Sequence, residues 1–339
     1  MIRLSVFDQS PAIADVPHDA TIRATVALAI ECERLGYRRY WVGEQHNNPG
    51  IVGSAPPVLM SAIAARTERI RVGSAGVLLS HYSPYKVAEQ FRVLDALAPD
   101  RIDLGLARAQ GANEAARRAL GRSALDADAF AAEAGKLVAW LYDEPTEREP
   151  LTAQARAYPR AATAPHPWIH GSSEIGARVA AKLGLPFCFN YSAEGGEQQA
   201  RQCLQTYVQA YRPTARVPEP YASVLVWALA ADSDAQAWHL FASRAHANIM
   251  LDTGMRAPLV APEVALAYRY SERQQARLAQ MRRDCIIGAA DHVAQRLVAV
   301  AAALGVSELV VNTWTHDPAA RRRSYELLAA AFGLAGAAP

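Results

Sequence analysis

The chain has 339 residues, 51% hydrophobic and 20% charged, with 35 Lys and Arg against 33 Asp and Glu for a formal net charge of +2. This composition excludes wholesale disorder, and the balanced charge argues against electrostatic grip on nucleic acid or an anionic membrane surface. The four cysteines (Cys32, Cys188, Cys203, Cys285) form no Cys-x-x-Cys motif, so neither a disulfide framework nor a structural zinc site is expected, and a reducing cytoplasm fits.

In chain order, residues 4–7 read as a first strand, short, apolar and followed by the Ser10-Pro11 turn. The N-terminus enters this strand at once, with no signal-peptide pattern. A helix follows, with Asp19 or Thr21 as cap, apolar residues at helical spacing (Val26, Ile30, Leu35) and a stop at Gly36. Residues 40–43 form strand two, and 57–66 a helix with proline in its first turn. Strand three covers 70–79, its helix 85–97, and strand four 102–107. Residues 168–170 form strand five, with a helix over 173–183 ending at Gly184. Strand six (186–190) and strand seven (223–231) lead into helices at 197–211 and 234–250. A helix over 292–304, an eighth strand at 309–312 and a helix over 318–332 close the chain.

Eight strands, each followed by a helix, predict a (β/α)8 barrel forming one domain over 1–339. A doubly wound sheet is the alternative, but no Gly-x-Gly-x-x-Gly follows the first strand. Two stretches are too long to be simple connections: about 110–167 after strand four, which holds a helix over 126–142, and about 252–284 after strand seven. No apolar run approaches the roughly 20 residues needed to span a bilayer.

In such a barrel the chemistry sits at the C-terminal ends of the strands. That rule selects Asp8, Gln9 and Ser10; Glu44, Gln45, His46 and Asn47; Ser74, Ala75 and Gly76; Arg108; His170 to Ser173; and Asn190 and Tyr191. Candidate pocket residues around this rim are His81, Tyr82, Gln110, Trp227, Trp314 and His316. Gly171-Ser172-Ser173 opens a helix, where free N–H groups and the dipole favour an anion such as phosphate. A plain serine N-cap is the competing reading. Arg108 offers a charge-assisted clamp on the same anion, or else a rim salt bridge. Small residues at Ser74-Ala75-Gly76 leave room for a flat ligand, or simply serve tight packing. His46, beside Glu44 and Asn47, is a candidate acid/base group. No metal site is expected, since His166 and His170 are separated by Pro167 and share no helix face.

The segments Leu4-Ser5-Val6-Phe7-Asp8-Gln9-Ser10-Pro11, Tyr40-Trp41-Val42-Gly43-Glu44-Gln45-His46-Asn47, Arg71-Val72-Gly73-Ser74-Ala75-Gly76-Val77 and Arg101-Ile102-Asp103-Leu104-Gly105-Leu106-Ala107-Arg108 fall on successive strands. With Ala88-Glu89-Gln90-Phe91, Gly171-Ser172-Ser173 leading to Gly184-Leu185-Pro186, and Ile287-Gly288-Ala289, the chain resembles the bacterial luciferase-like flavin-dependent monooxygenases along essentially its whole length. The opening segment resembles a subgroup met in bacterial secondary metabolism. The resemblance implies reduced FMN supplied by a separate NAD(P)H:flavin reductase, and O2 added to it as a flavin C4a-peroxide. The substrate would be a small carbonyl or polyketide-like compound. It further implies that Arg108, Ser173 and the Ser172 backbone hold the FMN phosphate with Gly176 nearby. Ala75-Gly76, a frequent site of a non-proline cis peptide in the family, would lie beneath the ring, with Asn190 and Tyr191 at its edge. A homodimer through the helices after strands two and three, and a lid at 252–284, are implied likewise.

One departure stands out. The family's usual Glu-His-His is Glu44-Gln45-His46 here, and Gln45 cannot exchange a proton near neutral pH. Proton transfer is left to His46, or to a substrate that needs no base. F420-dependent hydride transfer and a non-catalytic flavin-binding role are the alternatives.

Overall fold

The computed structural model describes residues 2–121, 123–145, 154–191 and 196–334. Strands β1 (Arg3–Asp8), β2 (Arg39–Val42), β3 (Arg71–Leu78), β4 (Ile102–Ala107), β5 (His166–Gly171), β6 (Phe187–Asn190) and β7 (Ala222–Ala231) pair in sequence order, all parallel. The last strand, β9 (Glu308–Asn312), lies between β7 and β1 and closes the barrel. The expected (β/α)8 barrel is the observed fold, with excursions after β4 and β7.

A ninth strand was not expected. β8 (Ile286–Ala289) pairs with the C-terminal half of β7, Ala228 to Ala231, while β9 takes Val224 to Trp227 of the same strand. Its four residues carry no periodicity of their own. Ile286 and Ile287 become buried only where β7 and helix α8 (Asp234–Asp252) cover them. A second apolar cluster (Leu229, Phe241, Ile249, Met281, Ile287) thus sits beside the main core.

The ring helices are α1 (His18–Arg34), α2 (Pro56–Ala64), α3 (Pro84–Leu97), α5 (Ala127–Leu141), α6 (Glu174–Leu183), α7 (Glu197–Ala210), α11 (Ala290–Leu304) and α12 (Pro318–Ala331). Their boundaries follow the apolar spacing, because that stripe is what packs on the barrel. The start of α1 is corrected. Pro17 is its N-cap, and its carbonyl accepts from the N–H groups of Ala20 and Thr21. Neither expected cap serves, since Asp19 pairs with Arg23 on the surface and the Thr21 hydroxyl is buried without a partner. The first excursion also holds a short helix, α4 (Glu114–Leu120), and the second holds α9 (Pro262–Ala267) and an Arg/Gln-rich helix, α10 (Glu272–Asp284).

The barrel interior is stacked in layers. At the N-terminal ends of the strands, Arg39 lies between Asp103 (2.7 Å) and Glu308 (2.8 Å). Arg71 and the Trp41 indole N–H also donate to Asp103, and Ser5 and Tyr221 donate to Glu308. Burial alone would raise the Asp103 pKa, but Arg39 and Arg71 bring it down to about 2. Above this plug sits an apolar layer of Phe7, Trp41, Trp168, Cys188, Leu225 and Val310. The site lies above that. Among the described residues no helix is long and apolar enough to cross a membrane.

Candidate active site

At the C-terminal mouth a cavity of about 310 Å3 is bordered by strands β1 to β6. Glu44, Gln45, Ala75, Gly76, Arg108, Ser172, Ser173, Gly176 and Asn190 all line it, so residues scattered over some 150 positions of sequence converge.

The floor is formed where β3 and β4 come unusually close. Their register shifts between Ser74 and Val77, and the Ala75–Gly76 peptide in this shift is cis, as the resemblance implied. The Ser74 hydroxyl donates to the Gly105 carbonyl (3.0 Å) and accepts from the Gly105 N–H (3.1 Å). A Cβ at Gly105 would stand 2.1 Å from the Ser74 carbonyl oxygen and 2.5 Å from the His170 ring, and one at Gly76 would stand 2.8 Å from the Gly105 oxygen. The small residues therefore serve both readings at once, holding two strands together and leaving a flat floor.

The opposite wall is electropositive. Ser173 occupies the N-cap position of α6, yet its hydroxyl accepts no first-turn N–H. The plain-cap reading is thereby set aside, and the amide donors of α6 are left for an acceptor in the cavity. The first-turn Glu174 is turned to Arg178 (3.2 Å) and Gln202 (2.6 Å). Arg108 is exposed on the same cavity, and among the described residues no carboxylate pairs with it, which sets aside the rim salt bridge.

Glu44 is buried, and its carboxylate is fully engaged. Oε1 takes His46 Nε2 (2.7 Å) and the Tyr82 hydroxyl (2.6 Å), and Oε2 takes the Leu78 N–H (3.0 Å). Among the described residues no arginine pairs with it. Burial, then the charge of Glu44, raises the Tyr82 phenol well above its ordinary value, so Tyr82 stays a donor. The His46 ring meets His81 edge-on at 5.3 Å, and His81 Nε2 bonds the Gln110 carbonyl at 2.6 Å.

The rim expectations sort into three groups. Arg108, Ser172, Ser173, Gly176, Ala75 and Gly76 meet in one cavity as expected. Tyr191 is buried and opens instead on a neighbouring hollow of about 430 Å3 that it shares with Asn190, Ser172 and Trp227. Trp227 and Trp314, packed edge to face at 5.1 Å, line a further cavity of about 380 Å3 with Gln45. His81, Tyr82 and Gln110 line none of these cavities. They form a supporting layer behind Glu44 and the β4–α4 turn: Tyr82 donates to Glu44, His81 Nε2 meets the Gln110 backbone carbonyl, and the Gln110 side-chain oxygen accepts from Arg117 (3.0 Å). His316 lines none of them either.

Asp8, Gln9 and His170 of the rim set divide between structure and cavity, and Arg244, outside that set, lines the neighbouring hollow. Asp8, from the rim set, is structural: fully buried, it pairs with Arg321 (2.8 Å) and accepts from Tyr40 (2.5 Å). Its neighbour Gln9 lines two of the cavities. His170 lines the cofactor-sized one, and burial lowers its pKa to about 3, against an opposing effect of Asp103. Arg244 lies over the Trp227 ring at 3.1 Å, an arrangement with no local sequence signal, since α8 and β7 bring the two together.

The site thus combines a parallel barrel, a positive wall above β4 and β5, and a close-packed floor at Ala75-Gly76. The family model for luciferase-like monooxygenases matches residues 2–308, and the chain belongs to that family of oxidoreductases. Among particular relatives, the chain is 39% identical over 336 residues to the uncharacterized protein YwcH of Bacillus subtilis (strain 168), covering 98% of this chain and 99% of that one. It is 34% identical over 341 residues to the N-acetyl-S-alkylcysteine monooxygenase of the same organism, covering 97% of each. Among solved structures, apo-MsnO8 superposes with a TM-score of 0.88 at 34% identity, covering 99% of this chain and 98% of that chain.

Proposed function

We propose that this protein is a two-component monooxygenase that receives reduced FMN from a separate NAD(P)H:flavin reductase and uses O2 to oxygenate a small carbonyl or polyketide-like compound. One observation carries the reading: the uncapped N-terminus of α6 and Arg108, which has no carboxylate partner among the described residues, share a cavity whose floor is Ala75-Gly76. An anion belongs at the first two and a flat ring over the third, which is the shape of FMN. Arg108, Ser173 and the Ser172 backbone hold the phosphate, with Gly176 beside them, Ala75-Gly76 supports the ring, and Asn190 borders it. Bound reduced FMN supplies the two electrons with which O2 is activated.

The chain's own groups do the rest. Gln45 opens on both the cofactor cavity and the Trp227–Trp314 cavity, and there it hydrogen-bonds substrate. His46, tied to Glu44 with Tyr82 behind it, is the proton-handling group nearest that wall. Leu251 and Met255, at the start of the second excursion, border the Trp cavity, which supports a lid role for 252–284 in excluding water. The exposed Val58 on α2 and Val93 and Leu97 on α3 support a homodimer through these helices. A thioether substrate is the second reading, favoured by the 34% identical N-acetyl-S-alkylcysteine monooxygenase.

The test is anaerobic titration with photoreduced FMN, followed by stopped-flow mixing with oxygenated buffer. Stoichiometric binding and reoxidation slower than that of free FMN are expected. Tight F420 binding without FMN binding would replace the reading with hydride transfer. FMN binding with no oxygenated product from carbonyl or thioether panels would leave a flavin carrier.

A further inference from the structure

We propose that Gln9 reads the cofactor's ring: its side-chain amide N–H donates to a ring carbonyl, with Asn312 setting the amide's orientation and Gly43 making room for its stem. The inference rests on the FMN reading above. In the closed strand order β1 lies opposite β5, so Gln9 stands across the mouth from the α6 N-terminus. A phosphate held there directs the ring towards β1.

Three observations single out Gln9. First, Asn312 Nδ2 donates to Gln9 Oε1 at 3.0 Å. With Oε1 taken, what Gln9 has left to offer is Nε2, which meets no acceptor among the described residues. A ring carbonyl accepts and cannot donate, so the two are matched. Second, Asn312 is fully buried, and its Oδ1 finds no donor among the described residues. A half-satisfied buried amide is costly in a core, and the bond to Gln9 is what it achieves in return. Third, the Gln9 stem passes over Gly43, where a Cβ would stand 3.1 Å from Gln9 Cγ and 3.1 Å from Phe7 Cζ. Gln9 is thus seated from below and aimed from the side, whereas among the described residues no hydrogen bond holds the Gln45 side chain, which also lines the cavity.

The experiment titrates the full-length wild type and the variants Gln9→Glu, Gln9→Leu, Asn312→Leu and Arg108→Ala with oxidised FMN. It reads flavin fluorescence, the visible absorption band of bound FMN and the thermal midpoint of each protein. Gln9→Glu keeps the length of the side chain and its bond to Asn312 but has no N–H to donate at neutral pH, so it separates donation from seating. We expect the wild type to shift the visible band of FMN on binding, and Gln9→Glu and Gln9→Leu each to weaken FMN about fivefold to tenfold and to abolish that shift. Asn312→Leu should lose the shift while retaining most of the affinity. Wild-type affinity and spectrum in both Gln9 variants would overturn the proposal, as would loss in Gln9→Leu with full retention in Gln9→Glu. If Arg108→Ala alone abolishes binding, the FMN reading stands and the role of Gln9 falls. If the wild type does not bind FMN, both fall.

Discussion

The two ends of the barrel use the same residue types to opposite effect. At the N-terminal end Arg39, Arg71, Asp103 and Glu308 are paired with one another, and Trp41, Ser5 and Tyr221 donate to the two carboxylates. At the mouth Arg108 has no carboxylate among the described residues, the α6 amides have no serine oxygen, and Gln9 has an idle N–H. Mutually satisfied charges in a closed layer hold a fold together, whereas unsatisfied donors around a hollow wait for a ligand.

The largest expected effect breaks the closed end. Asp103→Ala leaves Arg39 and Arg71 buried without their shared carboxylate and should cost about 3–5 kcal/mol in urea-unfolding free energy. The folded pKa of Asp103 is depressed to about 2 from its ordinary value of 3.8. Its contribution is therefore present above pH about 4 and is lost as the pH falls towards 2.

Gly105→Ala strikes the seam between the two ends. Its Cβ would stand 2.1 Å from the Ser74 carbonyl oxygen, so β3 and β4 must part, at about 3 kcal/mol and with loss of the cavity floor. Both unfolding and FMN binding should suffer, where Asp103→Ala is expected to act on stability first. Arg108→Ala should behave in the opposite way. We expect a 10- to 100-fold loss of FMN affinity, from about 1.5–3 kcal/mol of charge-assisted bonding, with an unchanged unfolding midpoint.

His170→Gln has little effect near neutral pH and shows only as the pH falls. The folded imidazole has its pKa lowered to about 3 from 6.5, so the wild type should lose stability as the pH falls from about 6.5 towards 3, because only the unfolded chain takes up the proton. The variant should flatten that slope by at most one proton, about 1.4 kcal/mol per pH unit, in thermal melts taken across this range. The smallest effect is expected from Arg178→Ala, which removes an exposed partner of Glu174 and should stay within about 0.5 kcal/mol.

Much of this layout was legible beforehand, and the misses share a cause. Strands β1 to β7 and β9 show as short apolar runs bounded by turns, since each must bury residues in the barrel. β8 has no such signature, because its burial depends on β7 and α8. Arg108 and Ser173 were recognisable from their places after strands four and five. Whether they were spent on a salt bridge and a cap depended on neighbours remote in the chain. Tyr82, His81 and Gln110 read equally well as pocket residues until their hydrogen bonds turned them to Glu44, to the Gln110 backbone and to Arg117.

By itself the sequence determined the barrel, the order of its strands and the rim on which the chemistry stands, because apolar spacing and turn residues are local consequences of burial. Only the tertiary structure decided which polar groups are satisfied. Asp8 and Gln9 are adjacent in sequence, yet one is locked to Arg321 and the other is steered by Asn312 into the cavity. Alternation along a strand sends neighbours to opposite faces, and what waits on each face is set by parts of the chain some 300 residues away.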